Sequence, residues 1–173
     1  MTAKESGIYT EGHRDYITVE GGKITGNVYG VRAYNDEVNV TGGEFISKHG
    51  SRDYYAFVCD YNSICNMKDA TFTSDTASGI YVRGTSNIDN VTINAGANNG
   101  WGISYYDFSG TLKNSTIKTT GTESYGLYSS NSGEVITLEN NDIDSKNIGI
   151  YLAGSGARTF DIKSGTIYGE KYG

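Results

Sequence analysis

GIYVRGTSNIDNVTINAGANNGW, residues 79–101, is one turn of a repeat, and its pattern decides the fold. The phrase that opens it, Gly79-Ile80-Tyr81, recurs as Gly7-Ile8-Tyr9, Gly30-Val31-Arg32, Ala56-Phe57-Val58, Gly102-Ile103-Ser104, Gly126-Leu127-Tyr128 and Gly149-Ile150-Tyr151. In chain order the seven phrases begin 23, 26, 23, 23, 24 and 23 residues apart. A period of this size marks a solenoid, whose repeats bury their apolar sides only by stacking on one another. Inside each interval an apolar pair recurs at a spacing of five: Val19 and Ile24, Val40 and Phe45, Met67 and Phe72, Ile88 and Ile93, Leu112 and Ile117, Leu138 and Ile143, Ile162 and Ile167. Period-2 alternation flanks both members of a pair, so strands lie on either side. Five is odd, and an unbroken strand would point the two residues to opposite faces. A tight turn between them brings both inward. The residues there, such as Gly21-Gly22, Gly42-Gly43, Asn90-Val91, Asn114-Ser115 and Asn140-Asn141, are types that accept positive φ or bond to nearby backbone.

These columns predict an all-β parallel β-helix of about seven coils of 23–26 residues, with three strands per coil. At about 4.8 Å per coil the rod is roughly 34 Å long. Residues 1–173 read as one domain, and as a piece of a longer repeat protein, because residues 2–6 lead almost at once into the first repeat and form no secretory signal. The phrases Asn90-Val91-Thr92-Ile93, Asn114-Ser115-Thr116-Ile117 and Asn140-Asn141-Asp142-Ile143, each followed by a Gly-Ile or Gly-Leu phrase, resemble the right-handed parallel β-helix repeat of the pectate-lyase-like superfamily. Gly21-Gly22-Lys23-Ile24 and Gly42-Gly43-Glu44-Phe45 are similar in style to bacterial adhesin and autotransporter passenger domains. The resemblance covers residues 7–173 and implies a right-handed solenoid at the surface of a bacterium or outside it. It does not choose a function, since the superfamily hosts lyases, hydrolases, tailspikes and adhesins. The Leu-x-x-Leu-x-Leu phrase of a leucine-rich repeat and the six-residue period of a left-handed β-helix are both absent.

Composition agrees and narrows the partners. The 173 residues include 24 glycines, 15 tyrosines and no proline, a strand-and-turn mixture. The formal charge of −6 argues against nucleic acid and anionic membrane surfaces, which reward clustered cations. No apolar run approaches the ~20 residues of a membrane helix. The two cysteines, Cys59 and Cys65, both fall on inward positions and are expected as small core hydrophobes, with a bond between them as the alternative if the corner lets them meet. No metal-ligand spacing is present, and neither metal nor cofactor is expected.

Stacked coils also predict ladders. Asn90, Asn114 and Asn140 share one turn position, where amides can bond up the stack and cap the turn. Outside the core, Glu20, Thr41, Lys68, Asp89, Lys113, Glu139 and Lys163 alternate in sign along much of a solvated column. A threonine column through Thr71, Thr92, Thr116 and Thr166 suggests an ice-binding face, but Asp142 interrupts it and no second threonine column is as regular.

What exceeds the needs of the repeat is aromatic. Tyr9, Tyr81, Tyr128 and Tyr151 share one outward column, Trp101 and Tyr125 precede the repeat glycine, and Tyr105 and Tyr106 add two more in the fifth coil. Such rings suit sugar faces and protein partners, because each offers a rigid apolar surface with a polar handle. The bland function for them is to cover strand edges at a corner. A second candidate is the extra length of the second coil, which falls in 47–55 and holds His49, Arg52, Asp53 and Tyr54; a similar cluster, His13-Arg14-Asp15-Tyr16, lies at another corner. For hydrolytic chemistry only Asp60 and Asp107 come near each other, two coils apart and roughly 10 Å along the axis, at the far limit for an inverting pair. No nucleophile elbow or phosphate loop is present. The sequence therefore points to a non-catalytic surface or secreted module that presents an elongated face to a glycan or protein, with no catalytic residue assigned. The alternatives are a β-helix lyase or glycoside hydrolase, and a phage or virus fibre segment. Open parallel edges at the ends of the stack also predict end-to-end self-association.

Overall fold

A computed structural model describes residues 2–3, 5–12, 14–107, 109–131 and 133–173. Every strand pair is parallel, and the chain winds through three faces per coil. The third face is a sheet of eight strands, Thr2–Ala3, Lys23–Gly26, Glu44–Ser47, Thr71–Ser74, Thr92–Ala95, Thr116–Thr119, Asn141–Ser145 and Gly165–Gly169. The first face holds Ser6–Tyr9, Tyr29–Ala33, Trp101–Tyr105, Tyr125–Ser129 and Ile148–Leu152. The second holds Tyr16–Val19, Glu37–Thr41, Ser109–Lys113, Val135–Glu139 and Thr159–Ile162. Two longer strands, Tyr55–Lys68 and Ser78–Asp89, bend through the corner and belong to both, so the first and second faces form one sheet of twelve strands. Three separate strands per coil are thus seen everywhere except the third and fourth coils. There the corner keeps its strand pairing, with a register shift between Val82 and Gly84 where the partner strand carries extra residues.

The register follows the columns read from the sequence. Ile80 pairs Phe57 on one side and Ile103 on the other, Ile103 pairs Leu127, and Leu127 pairs Ile150. Phe45, Phe72, Ile93, Ile117 and Ile143 stack on the third face and are fully buried. Phe45 and Phe72 lie face to face at 5.1 Å, and Phe57 meets both edge-on. The tight turn is there: Asp69, Asn90, Asn114 and Asn140 take φ of 54°, 51°, 49° and 54°. Asn140 donates an amide hydrogen to Asn114 Oδ1 at 2.9 Å, Asn114 to Asp89 Oδ1 at 2.7 Å, and Asn90 to Asp69 Oδ1 at 2.6 Å. A further ladder on the second face runs from Thr111 through Asn87 and Asn66 to Asn39. The charged columns also pair where signs alternate, as in Lys113–Glu139 at 3.1 Å and Lys23–Glu44 at 2.8 Å.

The repeat glycine has a steric cause. A Cβ on Gly102 would stand 2.3 Å from Ile117 Cγ2 and 2.5 Å from the Gly126 carbonyl oxygen, because the third-face strand closes on the first there. The last residues of the third-face strands, Gly26, Ser47, Ser74, Ala95, Thr119, Ser145 and Gly169, form a column of small residues at the same corner. Ser124 Oγ donates to Thr119, Thr119 to Ser145, and Ser145 to the Ser124 carbonyl, all buried. Hydroxyls there satisfy backbone groups that turn away from the ladder.

One expectation is corrected. Cys59 and Cys65 are bonded to each other, with Cα atoms 6.2 Å apart and both side chains fully buried. The corner between the first and second faces folds tightly enough to bring two inward positions together.

Candidate functional site

Alternation along the first face aims Tyr9, Arg32, Val58, Tyr81, Ser104, Tyr128 and Tyr151 outward in one register. Their rings and those of the preceding corner touch. Trp101 lies 5.3 Å from Tyr128, Tyr128 is 5.9 Å from Tyr151, and Tyr125 stacks on Tyr151 at 5.1 Å. Tyr55 stacks parallel to Trp101 across Ser78 at 6.3 Å and meets Tyr81 at 5.5 Å. These spacings lie in the range where ring quadrupoles attract. Tyr9 and Tyr151 are exposed; Tyr81, Trp101, Tyr125 and Tyr128 are half-buried.

Tyr105 is a correction. It is fully buried in the core and presents nothing to a ligand. It stands two residues after inward-facing Ile103, so alternation turns it inward as well. Its neighbour Tyr106 is exposed at the corner, outside the outward tyrosine column.

The loop residues join the tyrosine face. Arg52 places its guanidinium 5.4 Å from the Trp101 ring centre, and its carbonyl accepts a hydrogen bond from Ser78 Oγ at 2.6 Å. Tyr54 meets Tyr29 edge-on at 6.0 Å and His49 at 5.9 Å. Asp53 lines the same depression as Tyr29, Tyr55 and Tyr81. The sequence reading held these two candidates apart; the structure makes them one surface. His13 lies outside the described residues, and Arg14, Asp15 and Tyr16 line a separate depression of about 390 Å³.

Arginine is the component that sequence reasoning underrated. Arg32 lies over Tyr9 and Tyr29 at 5.9 and 5.5 Å, and Arg83 over Tyr61 and Tyr106 at 5.1 Å each. Arg32 Nη2 donates to Asp60 Oδ2 at 3.0 Å, and Arg83 Nε stands 3.8 Å from Asp107 Oδ2. Asp60 and Asp107 are therefore arginine partners rather than a free carboxylate pair. Burial raises the Tyr81 phenol to about 12, with help from the Asp60 charge, so it stays protonated at neutral pH. Tyr29 and Tyr55 are raised by burial too, against lowering by Arg32 and by a bond to Ser104, respectively.

A second polar cluster left no trace in the sequence columns. Glu134 is 1% exposed; Ser129 Oγ donates to its Oε2, and Arg158 Nη1 donates to the Ser129 carbonyl at 3.1 Å. Among the described residues, buried Glu134 Oε1 has no hydrogen-bond partner. Burial raises the Glu134 carboxyl above its ordinary range, against the lowering effects of Ser129 and Arg158. An acid raised in this way binds more protons folded than unfolded, so stability is greatest below the ordinary carboxyl range and falls as pH rises through the raised value. Glu134→Gln is thus expected to melt higher than the parent at neutral pH, with the gap closing on acidification. Thermal melts of both proteins from acid to neutral pH check this, and a gap that widens in acid would refute the assignment.

The fold and this face define a right-handed parallel β-helix of the pectate-lyase-like kind, a solenoid with an aromatic first face marked by shallow depressions. More particularly, the family model described as NosD, periplasmic copper-binding protein, matches residues 1–168, and the chain belongs to that family. No curated protein and no solved structure shows significant similarity to it. Copper's protein donors are imidazole, thiolate and thioether. This chain has two histidines, two cysteines joined in a disulfide, and two methionines, of which Met67 is 1% exposed in the core. Among the described residues no three His, Cys, Asp or Glu side chains come together as an ion would require. The donor set of the described residues does not fit a copper site.

Proposed function

We propose that the chain is a non-catalytic binding module of the bacterial envelope that holds a glycan chain along its first face. The observation that carries this is the band of ring contacts that runs along the axis from Tyr81 through buried Tyr55 to the partly exposed Trp101, Tyr128 and Tyr151. A row of fixed, one-sided aromatic faces matches a row of sugar rings, whose C–H faces pack on π-systems while hydroxyls reach polar groups at the rim. The shallow relief suits binding an extended chain better than enclosing a reacting bond. Burial of the Cys59–Cys65 bond supports folding in an oxidising compartment, which agrees with the periplasmic description of the family.

The test is retention on a panel of immobilised and soluble polysaccharides, scored together for chain cleavage. Retention without cleavage is expected. Trp101→Ala with Tyr128→Ala should weaken it about 30-fold, from ~1 kcal/mol for each ring. Cleavage by the parent protein, or retention unchanged in the double variant, would overturn this reading.

A further inference from the structure

We propose that the glycan taken by this face is a neutral polysaccharide, gripped through its vicinal hydroxyls by arginine–aspartate pairs, Arg32–Asp60 and Arg83–Asp107. This rests on the glycan-binding reading above and adds the ligand's chemical class and where it sits.

Three depressions follow one another across the first face and its corner. The first, about 540 Å³, includes Tyr9, Tyr29 and Arg32. The middle one, about 290 Å³, includes Tyr29, Arg32, Val58, Tyr81 and Arg83. The last, about 380 Å³, includes Tyr61, Arg83 and Asp107. Arg32 belongs to the first two and Arg83 to the last two, so a guanidinium stands at each junction. The middle depression has Val58, 4% exposed and paired with Tyr81 in the outward column, as its covered floor. Its volume lies at the small end for ligand pockets and suits a single ring.

Charge decides the ligand class. Three of the chain's five arginines, Arg32, Arg52 and Arg83, are on this surface, and each has an aspartate beside it: Asp60 at 3.0 Å, Asp53 at 3.7 Å and Asp107 at 3.8 Å. The six charges cancel, on a chain whose total is −6. A polyanion finds no net attraction there. A pair of neighbouring hydroxyls, each both donor and acceptor, finds guanidinium N–H groups beside carboxylate oxygens. The donors are held ready. Ring contacts hold both guanidinium groups in place, and among the described residues the buried Nε of Arg32 and of Arg83 makes no hydrogen bond. The two arginine side chains stay 34% and 35% exposed, so their open guanidinium edges, rather than the buried Nε atoms, are what a ligand hydroxyl can reach.

Spacing along the axis agrees. Arg32 and Asp60 come from the second and third coils, and Arg83 and Asp107 from the fourth and fifth, so the two pairs, though at different positions of the repeat, stand two coils apart. The rise of about 4.8 Å per coil is close to the length of one pyranose unit in an extended chain. Alternate sugars would then meet the two successive pairs, with Tyr81 between them and Tyr9 beyond Arg32.

The experiment uses the intact chain in affinity electrophoresis and calorimetry. Probes are galactomannan, mixed-linkage β-glucan, alginate, and galactomannan whose vicinal diols have been cleaved by periodate and reduced. The neutral polymers are expected to bind, with affinity changing less than about twofold between about 0.05 and 0.5 M salt, since no counterions are released. Periodate treatment should abolish binding. Arg83→Gln and Asp60→Asn should each weaken it at least ~10-fold, as charged hydrogen bonds do. Val58→Tyr, which crowds the floor of the middle depression, should weaken it comparably, with a melting transition below that of the parent but above the assay temperature, so that lost binding is read on folded protein. Retention of alginate alone, falling steeply with salt, would overturn the neutral class and keep the glycan reading. Full affinity in Val58→Tyr would move the sugar off these pairs. Retention of none of the polymers would sink both this inference and the reading beneath it.

Discussion

Ile103→Asp is expected to cost more than ~4 kcal/mol and to break the rod in its middle. Ile103 is fully buried, registers between Ile80 and Leu127, and belongs to the single apolar core that runs along the stack. A carboxylate there has no partner among the residues lining the column, and its protonated form still leaves two polar oxygens in an apolar wall. The loss has a second consequence peculiar to solenoids. Each coil is stabilised by its neighbours, so a failed middle coil removes an interface from both halves. Urea unfolding should then become two shallow transitions in place of one, with a lower apparent m-value. Ile103→Val, which removes one methylene, should cost only about 0.5–1.5 kcal/mol and keep a single transition. An aspartate variant that melts with the parent would mean that the inward column has been misassigned.

The core was legible because a solenoid is nearly one-dimensional. Stacking makes every buried position repeat, and the odd spacing of each apolar pair, as in Ile88 and Ile93, leaves a positive-φ turn at Asn90 as the simple solution. Corners were less legible, since their lengths vary and no column constrains them. That is why the continuous strands Tyr55–Lys68 and Ser78–Asp89 were not foreseen, and why Glu134 and Arg158 met unannounced.

The site was half legible. Outward parity placed Tyr9, Tyr81, Tyr128 and Tyr151 correctly on one register, and the same rule applied to Ile103 would have turned Tyr105 inward. The aromatic pair Tyr105-Tyr106 drew attention away from that parity. Spacing could not show that Arg52, in the loop before the third coil, reaches Trp101 at the edge of the fifth, because that contact depends on side-chain direction. Nor could it show that Asp60 and Asp107 face arginines rather than each other.

Removing the disulfide should produce the next largest loss and reach the candidate site as well. The bond joins residues six apart in sequence, and closing so short a loop restricts the unfolded chain by about 2 kcal/mol in the loop-entropy picture. For a chain of this length that corresponds to a melting shift of roughly 4–8 °C. The enclosed corner carries Asp60, which holds Arg32, and Tyr61, which lies under Arg83. Cys59→Ala with Cys65→Ala should therefore both lower the melting temperature and weaken polysaccharide retention. Both sulfurs are fully buried, so a reductant should act on the native protein only as fast as the corner opens. Comparing reduced parent protein with the double alanine variant separates the two contributions, since only the variant also loses sulfur volume from the core. Reduced and oxidised parent proteins that melt together would show that the corner is held by its strand pairing alone, and retention unchanged in the variant would show that Asp60 and Tyr61 keep their places without the bond.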